Sequence, residues 1–251
     1  MCLILNLHLK NGQNMKQIMT FIAVAAVSCS CAVTIKPLSG VEHTRTFEIP
    51  DDYTQLEISY AINVDYSSEA SVMTVTADSL VMEYFEFEVR NGKMEIGIDD
   101  DAPVFNGGRI SIILPKSSAL NSISISGASH FAASETLASE DFHISLSGAS
   151  GVRAYIDTRN LMVVVSGASH AGISGTAEVY EVMCSGASHI SSKNAYISAE
   201  KASVTLSGAS GAYLGCSEKL TGNVSGASHI YYSGDCRCDV GVRGASSADR
   251  M

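Results

Sequence analysis

The phrase LSGAS at 146–150 decides the fold, because the chain keeps returning to it. Ser-Gly-Ala-Ser recurs at 126–129, 147–150, 166–169, 185–188, 207–210 and 225–228, and a degenerate Arg-Gly-Ala-Ser follows at 243–246. The shared glycines are Gly127, Gly148, Gly167, Gly186, Gly208, Gly226 and Gly244, spaced 21, 19, 19, 22, 18 and 18 residues apart. Two residues before them stand Ile125, Leu146, Val165, Cys184, Leu206, Val224 and Val242. Four before stand Ile123, Ile144, Val163, Val182, Val204, Gly222 and Val240, with mostly polar residues between. Such alternation marks a half-buried strand. The fourth residue after each glycine is again mostly apolar, from Phe131 and Val152 to Ile190 and Ile230. Each repeat therefore reads as strand, tight turn, second strand and polar loop.

A period near twenty that holds only short strands is the mark of a solenoid. The expected fold is all-β, a parallel β-helix or β-solenoid of about seven coils with an N-terminal β capping region. The alternative is an antiparallel sandwich in which the repeats are hairpins. Glycine permits a corner whose backbone angles exclude other residues, and Ala and Ser are small enough to stack there. Ser129, Ser150, Ser169, Ser188, Ser210 and Ser228 are placed to form a hydroxyl ladder.

Outside the repeats, FEIPDDYTQLEISYAINVDY (47–66), SVMTVTADSLVMEYFEFEVRNGKMEIGI (71–98) and RISIILP (109–115) alternate strongly, and Asn91-Gly92 signals a hairpin. This region should start the sheet and cap the first coil. The expected layout is a start upstream of the true one (1–14), a signal peptide (15–28), an anchor and linker (29–40) and one solenoid domain (41–251). Within that domain, 41–116 form the N-terminal β region and 117–251 the repeats.

MKQIMTFIAVAAVSCSC (15–31) reads as an export signal, with Lys16 as its positive charge and an apolar stretch too short to span a bilayer. AVSC at 26–29 resembles a lipobox, which points to lipidation of Cys29, with Cys31 as the alternative; an ordinary cleaved signal peptide is the plainer reading. The destination is then the outer membrane, on its periplasmic or cell-surface side. In such a disulfide-permissive setting, Cys216 is expected beside Cys236 or Cys238 on successive coils, close enough for a disulfide to one of them, and Cys184 is expected as a buried thiol.

The formal net charge is −10, and 15 of the 26 acids lie between Val41 and Asp101 against 3 basic residues. That surface repels phosphate backbones and argues against nucleic-acid binding. The partner is expected to be an unidentified glycan, protein or matrix component of the envelope, with the membrane reached through the lipid anchor. Self-association through an exposed edge is left open.

Three residues after each glycine stand His130, Gly151, His170, His189, Gly211, His229 and Ser247. Stacked imidazoles suit a ligand or metal face for Zn²⁺ or Cu²⁺, or a pH-sensitive one; the plainer reading is an outward corner position that tolerates polarity. The acids Asp141, Asp157, Glu181 and Asp239 fall at different offsets and suggest no catalytic cluster. No cofactor and no enzyme activity are expected; a polysaccharide-acting β-helix enzyme and a metal-binding histidine ladder are the alternatives.

Over roughly 45–248 the chain resembles the putative auto-transporter adhesin head GIN domain family, once catalogued as a domain of unknown function. The resemblance is carried by LEISYAINVDY (56–66), VRNGKMEIGI (89–98), ISIILPKSSALNSISISGASH (110–130) and the serial SGAS units. It implies a right-handed parallel β-helix-like domain on exported, often lipid-anchored bacterial envelope proteins. It brings no catalytic residues with it.

Overall fold

The computed structural model describes residues 35–251, of which Lys36–Met251 form one compact unit. Seven glycine corners stack as the repeat requires. Each has φ between 74° and 83°. At every step the alanine after the glycine donates its N–H to the glycine carbonyl of the preceding coil, as Ala168 does to Gly148 at 2.8 Å. Before the corner, the strand Ser122–Ile125 pairs in parallel with the end of His130–Leu146, which in turn pairs with Gly151–Val165 and that with His170–Cys184. The series continues through Ile197–Leu206, Gly211–Val224 and Arg237–Val242.

The inner stripe is closed. Ile123, Ile144, Val163, Val182 and Val204 are fully or almost fully buried, as are Ile125, Leu146, Val165, Cys184, Leu206 and Val224 beside them. Each fully buried Val, Leu or Ile contributes about 1.5–3 kcal/mol by leaving water. The corner serines are buried too, so the hydroxyl ladder lies inside the fold. Its hydrogen bonds run mainly to backbone. Ser150 Oγ donates to Ser147 O at 2.7 Å, and Ser188 and Ser210 repeat the bond at 2.8 Å.

Two details depart from the repeat as read. The expected polar loop is strand in His130–Leu146, Gly151–Val165 and His170–Cys184, because the next coil continues the ladder around the bend. The longer spacings are absorbed by bulges. The register shifts by two residues between Ala132 and Thr136, and residues 191–196 bulge out with Ser192 bridging Ala195.

The N-terminal region is interleaved, not sequential. Gln55–Ile58 and Ile62–Ser67 lie directly against the first repeat coil. Lys93–Ile98 and Ile110–Pro115 stack outside them in parallel, although they come later in the chain. Tyr60, with φ 80°, takes the glycine position in the corner between the first two of these strands. Its carbonyl accepts Ala128 N–H at 2.7 Å. Antiparallel strands cover this end: Glu42–Phe47 on Met73–Asp78, and Phe85–Arg90 on Lys93–Ile98 through the Asn91-Gly92 turn. The alternation at 71–98 is broken by one helical turn, Ser79–Met82, capped by Asp78. The Asp78 carboxylate also accepts from Ser39 and Gly40, fixing the incoming chain to the cap.

Candidate binding face

Cys29 and Cys31 lie outside the described residues. The four histidines of the repeat all point outward on the strands that leave the corners. Register places His170 directly beside His189, and Gly151 separates His130 from His170. Gly211 separates His189 from His229, and the column runs on to Asn63 at one end and Ser247 at the other. The two glycines make room for rings: a Cβ at Gly151 would meet His130 Cδ2 at 2.8 Å, and one at Gly211 would meet His189 Cδ2 at 3.1 Å.

Burial, His189 and Arg153 together hold the His170 pKa below the ordinary histidine value. A cation there would find two imidazoles beside a guanidinium, short of the four ligands a structural zinc takes. Among the described residues, no group of three or more His, Cys, Asp or Glu is gathered as a metal site would need. At the far end, His229 Nδ1 lies 2.9 Å from Ser247 Oγ, which donates to Asp249 at 2.6 Å. This order gives no nucleophile, because the serine proton is directed at the carboxylate, whereas activation needs it directed at the imidazole.

The next outward column, five residues after the glycine, is Asp65, Ala132, Arg153 and Gly172. Together with Asn63, His130, Gly151 and His170 it forms an open groove of about 450 Å³ across four strands. Tyr155, 51% exposed, stands two residues beyond Arg153 on the same face. Sequence reading passed over this column because it has no shared residue type; aligning the chain on its glycines would have shown it.

A second column was missed in the same way. Eight residues before the last six of these glycines stand Glu140, Arg159, Glu178, Glu200, Glu218 and Cys236. Four carboxylates, those of Glu140, Asp157, Glu178 and Glu200, line a groove of about 790 Å³ with Arg159. Of the acids weighed from the sequence, only Asp157 lines this groove. The four carboxylates are exposed, and Arg159 pairs with Glu140 at 2.6 Å and with Glu178 at 3.4 Å. Glu181 and Asp239 also share one column, but two strands lie between them.

All four described cysteines are free thiols. Cys216 meets Cys236, and Cys238 meets Tyr232. Burial and then Cys236 push the Cys216 thiol up to about 11. No helix among the described residues is long and apolar enough to cross a membrane.

The same fold occurs in solved structures of low sequence identity. A putative adhesin from Bacteroides fragilis is 18% identical with a TM-score of 0.74, over 86% of this chain and all of the other. A putative lipid binding protein from Parabacteroides distasonis is 18% identical with a TM-score of 0.66, over 87% of this chain and all of the other. A putative adhesin from Parabacteroides merdae is 17% identical with a TM-score of 0.60, over 86% of this chain and 98% of the other. No curated protein matches the chain. The family described as "Putative auto-transporter adhesin, head GIN domain" matches residues 52–236, including the interleaved strands and six of the seven glycine corners, and the chain belongs to that family.

Proposed function

We propose that this chain is a non-catalytic lipoprotein of the bacterial cell envelope that offers its solenoid as a binding or adhesion surface. Residues 15–28 serve as signal peptide, Cys29 (or Cys31) carries the lipid, and 29–40 link the anchor to the domain at 41–251. The observation that supports this reading most is the stack itself. Seven stacked corners hold outward columns whose side chains vary from coil to coil, a scaffold suited to presenting a surface. The family description and the names of the structural relatives speak of adhesion and lipid binding.

Protease treatment of intact cells tests the placement. Cleavage of the domain without lysis marks the cell surface, and protection until lysis marks the periplasmic side. The binding role itself is tested by deletion. Attachment of cells to host or matrix material is expected to fall; unchanged attachment, unchanged matrix composition and no recovered partner would overturn it.

One observation favours a second reading, an enzyme acting on polysaccharide: the groove around Arg159 with its four carboxylates. Paired carboxyls of this kind can serve glycoside cleavage when one keeps its proton. A screen of polysaccharides with wild type and Glu178→Gln decides it; no product from either ends the enzyme reading.

A further inference from the structure

The outward face around Arg153 is built differently from its surroundings. Across the strands Arg153 is flanked by Ala132 and Gly172, and along its own strand by Gly151 and Tyr155 in the outward positions. Small residues thus leave the guanidinium standing in a dish. Both neighbouring imidazoles lean into it. The His130 ring lies over Gly151, and a Cβ at Gly172 would lie 3.5 Å from His170 Nε2. Arg153 takes part in none of the ion pairs among the described residues. On a chain of net charge −10, an unpaired guanidinium between two imidazoles is a local reversal of sign.

The rest of the groove has a different character. Asp65 and Asn63 stand at the other end, three strand spacings from His170, or about 14 Å. They accept hydrogen bonds, as sugar hydroxyls require, while Tyr155 presents a half-exposed ring beside the cationic end. An aromatic ring with a polar tip packs on the C–H face of a sugar at little entropic cost. The groove is open, shallow and long enough for a short stretch of a polymer.

We propose that this groove binds an acidic polysaccharide, with Arg153, His130 and His170 holding the carboxylate or sulfate of one sugar unit and Asp65 and Asn63 holding hydroxyls of a neighbouring unit. Arg153 supplies a planar fork matched to an oxyanion. The inference rests on the surface-binding reading given above and names the chemistry of its ligand.

The test is affinity electrophoresis of the purified protein in gels containing polygalacturonate, chondroitin sulfate or neutral dextran. Retardation is expected with one or both acidic polymers and not with dextran; the two acidic arms tell carboxylate from sulfate ester. Arg153→Gln is expected to weaken binding about tenfold, roughly 1.4 kcal/mol, with partial recovery in Arg153→Lys. Tyr155→Ala is expected to weaken it as well. Arg237→Gln makes the same charge change at an exposed arginine that lies in no ion pair and outside the groove, and should leave binding intact.

No retardation by either acidic polymer, or equal retardation of wild type and Arg153→Gln, overturns the proposal. So does loss of binding in Arg237→Gln alone. Whole-cell attachment separates this result from the broader reading. Cells carrying Arg153→Gln that attach like wild type, when deletion cells do not, remove this groove and leave the adhesion surface standing.

Discussion

A methyl group added at Gly167 would sit 2.5 Å from the Gly148 carbonyl oxygen, the same oxygen that accepts the Ala168 N–H. The residue is also held at φ 74°, where a side chain clashes with its own backbone. Left-handed geometry costs about 1–2 kcal/mol for an L-residue, and weakening the bond adds about 1 kcal/mol. Gly167→Ala is therefore expected to destabilise by about 2–3 kcal/mol, lowering Tm by about 4–12 °C for a domain of this size. Gly151 is the contrasting position. Its φ is not in the left-handed region, and a Cβ there meets only the His130 ring, which can swing away. Gly151→Ala should cost less than about 1 kcal/mol. Thermal melts of the two variants decide the matter: equal losses would mean that the corner glycines are required for nothing beyond their small size. Tyr60 does not break the rule. The coil outside it replaces its corner with the excursion 99–109, so no corner carbonyl stacks on that side.

Among the elements, the coils toward the C-terminal end of the stack bring two of the described cysteines together. Cys216 belongs to the strand Gly211–Val224, and Cys236 to the bend that leads into Arg237–Val242, with the two thiols in contact. A disulfide oxidant such as oxidised glutathione is expected to join them, each new S–S bond reducing one oxidant disulfide to two thiols. Closing a loop of this length stabilises by about 3 kcal/mol. Peptide mapping should find Cys216 linked to Cys236; a Cys216–Cys238 peptide, or the same Tm for wild type and Cys216→Ser in oxidant, rules the pairing out. The repeat phase already brought these cysteines together, because glycine spacing sets which residues stack. It brought the histidines together for the same reason. Even the irregular spacings were informative, since 21 and 22 residues are what the bulges at 132–136 and 191–196 consume. The N-terminal order was not legible. Period-two alternation tells which face a residue occupies and says nothing about which strand lies beside it, so Lys93–Ile98 outside Gln55–Ile58 had to be seen. The Arg153 dish was hidden for a related cause: it is made by Ala132, Gly151 and Gly172, residues whose contribution is the space they leave.

At the scale of the whole molecule, the net charge of −10 should draw protons toward every histidine. His170 goes the other way, held low by burial, by His189 and by Arg153. The distribution of charge explains which effect wins. Most of the acids lie between Val41 and Asp101, in the interleaved strands and the antiparallel cap. At physiological salt, exposed charges act strongly only over about 8 Å, less than two strand spacings. His170 stands several coils from the cap and responds mainly to its neighbours. Its lowered folded pKa then makes stability depend on pH with a definite sign. The unfolded chain titrates near the ordinary histidine value, about 6.5, so it binds more protons than the folded chain between that value and the lower folded one. Stability from this source is fully present above about pH 6.5 and falls as pH drops through that value. Wild type should lose Tm between pH 7.5 and 5.5, a window above the ordinary carboxylate range, and His170→Gln should lose less. His189→Ala removes one of the causes and should move the His170 imidazole resonance to titrate at higher pH. If His170→Gln and wild type lose Tm in parallel across that window, adjacent coils do not feel each other's charge, and the histidine column is a row of independent side chains.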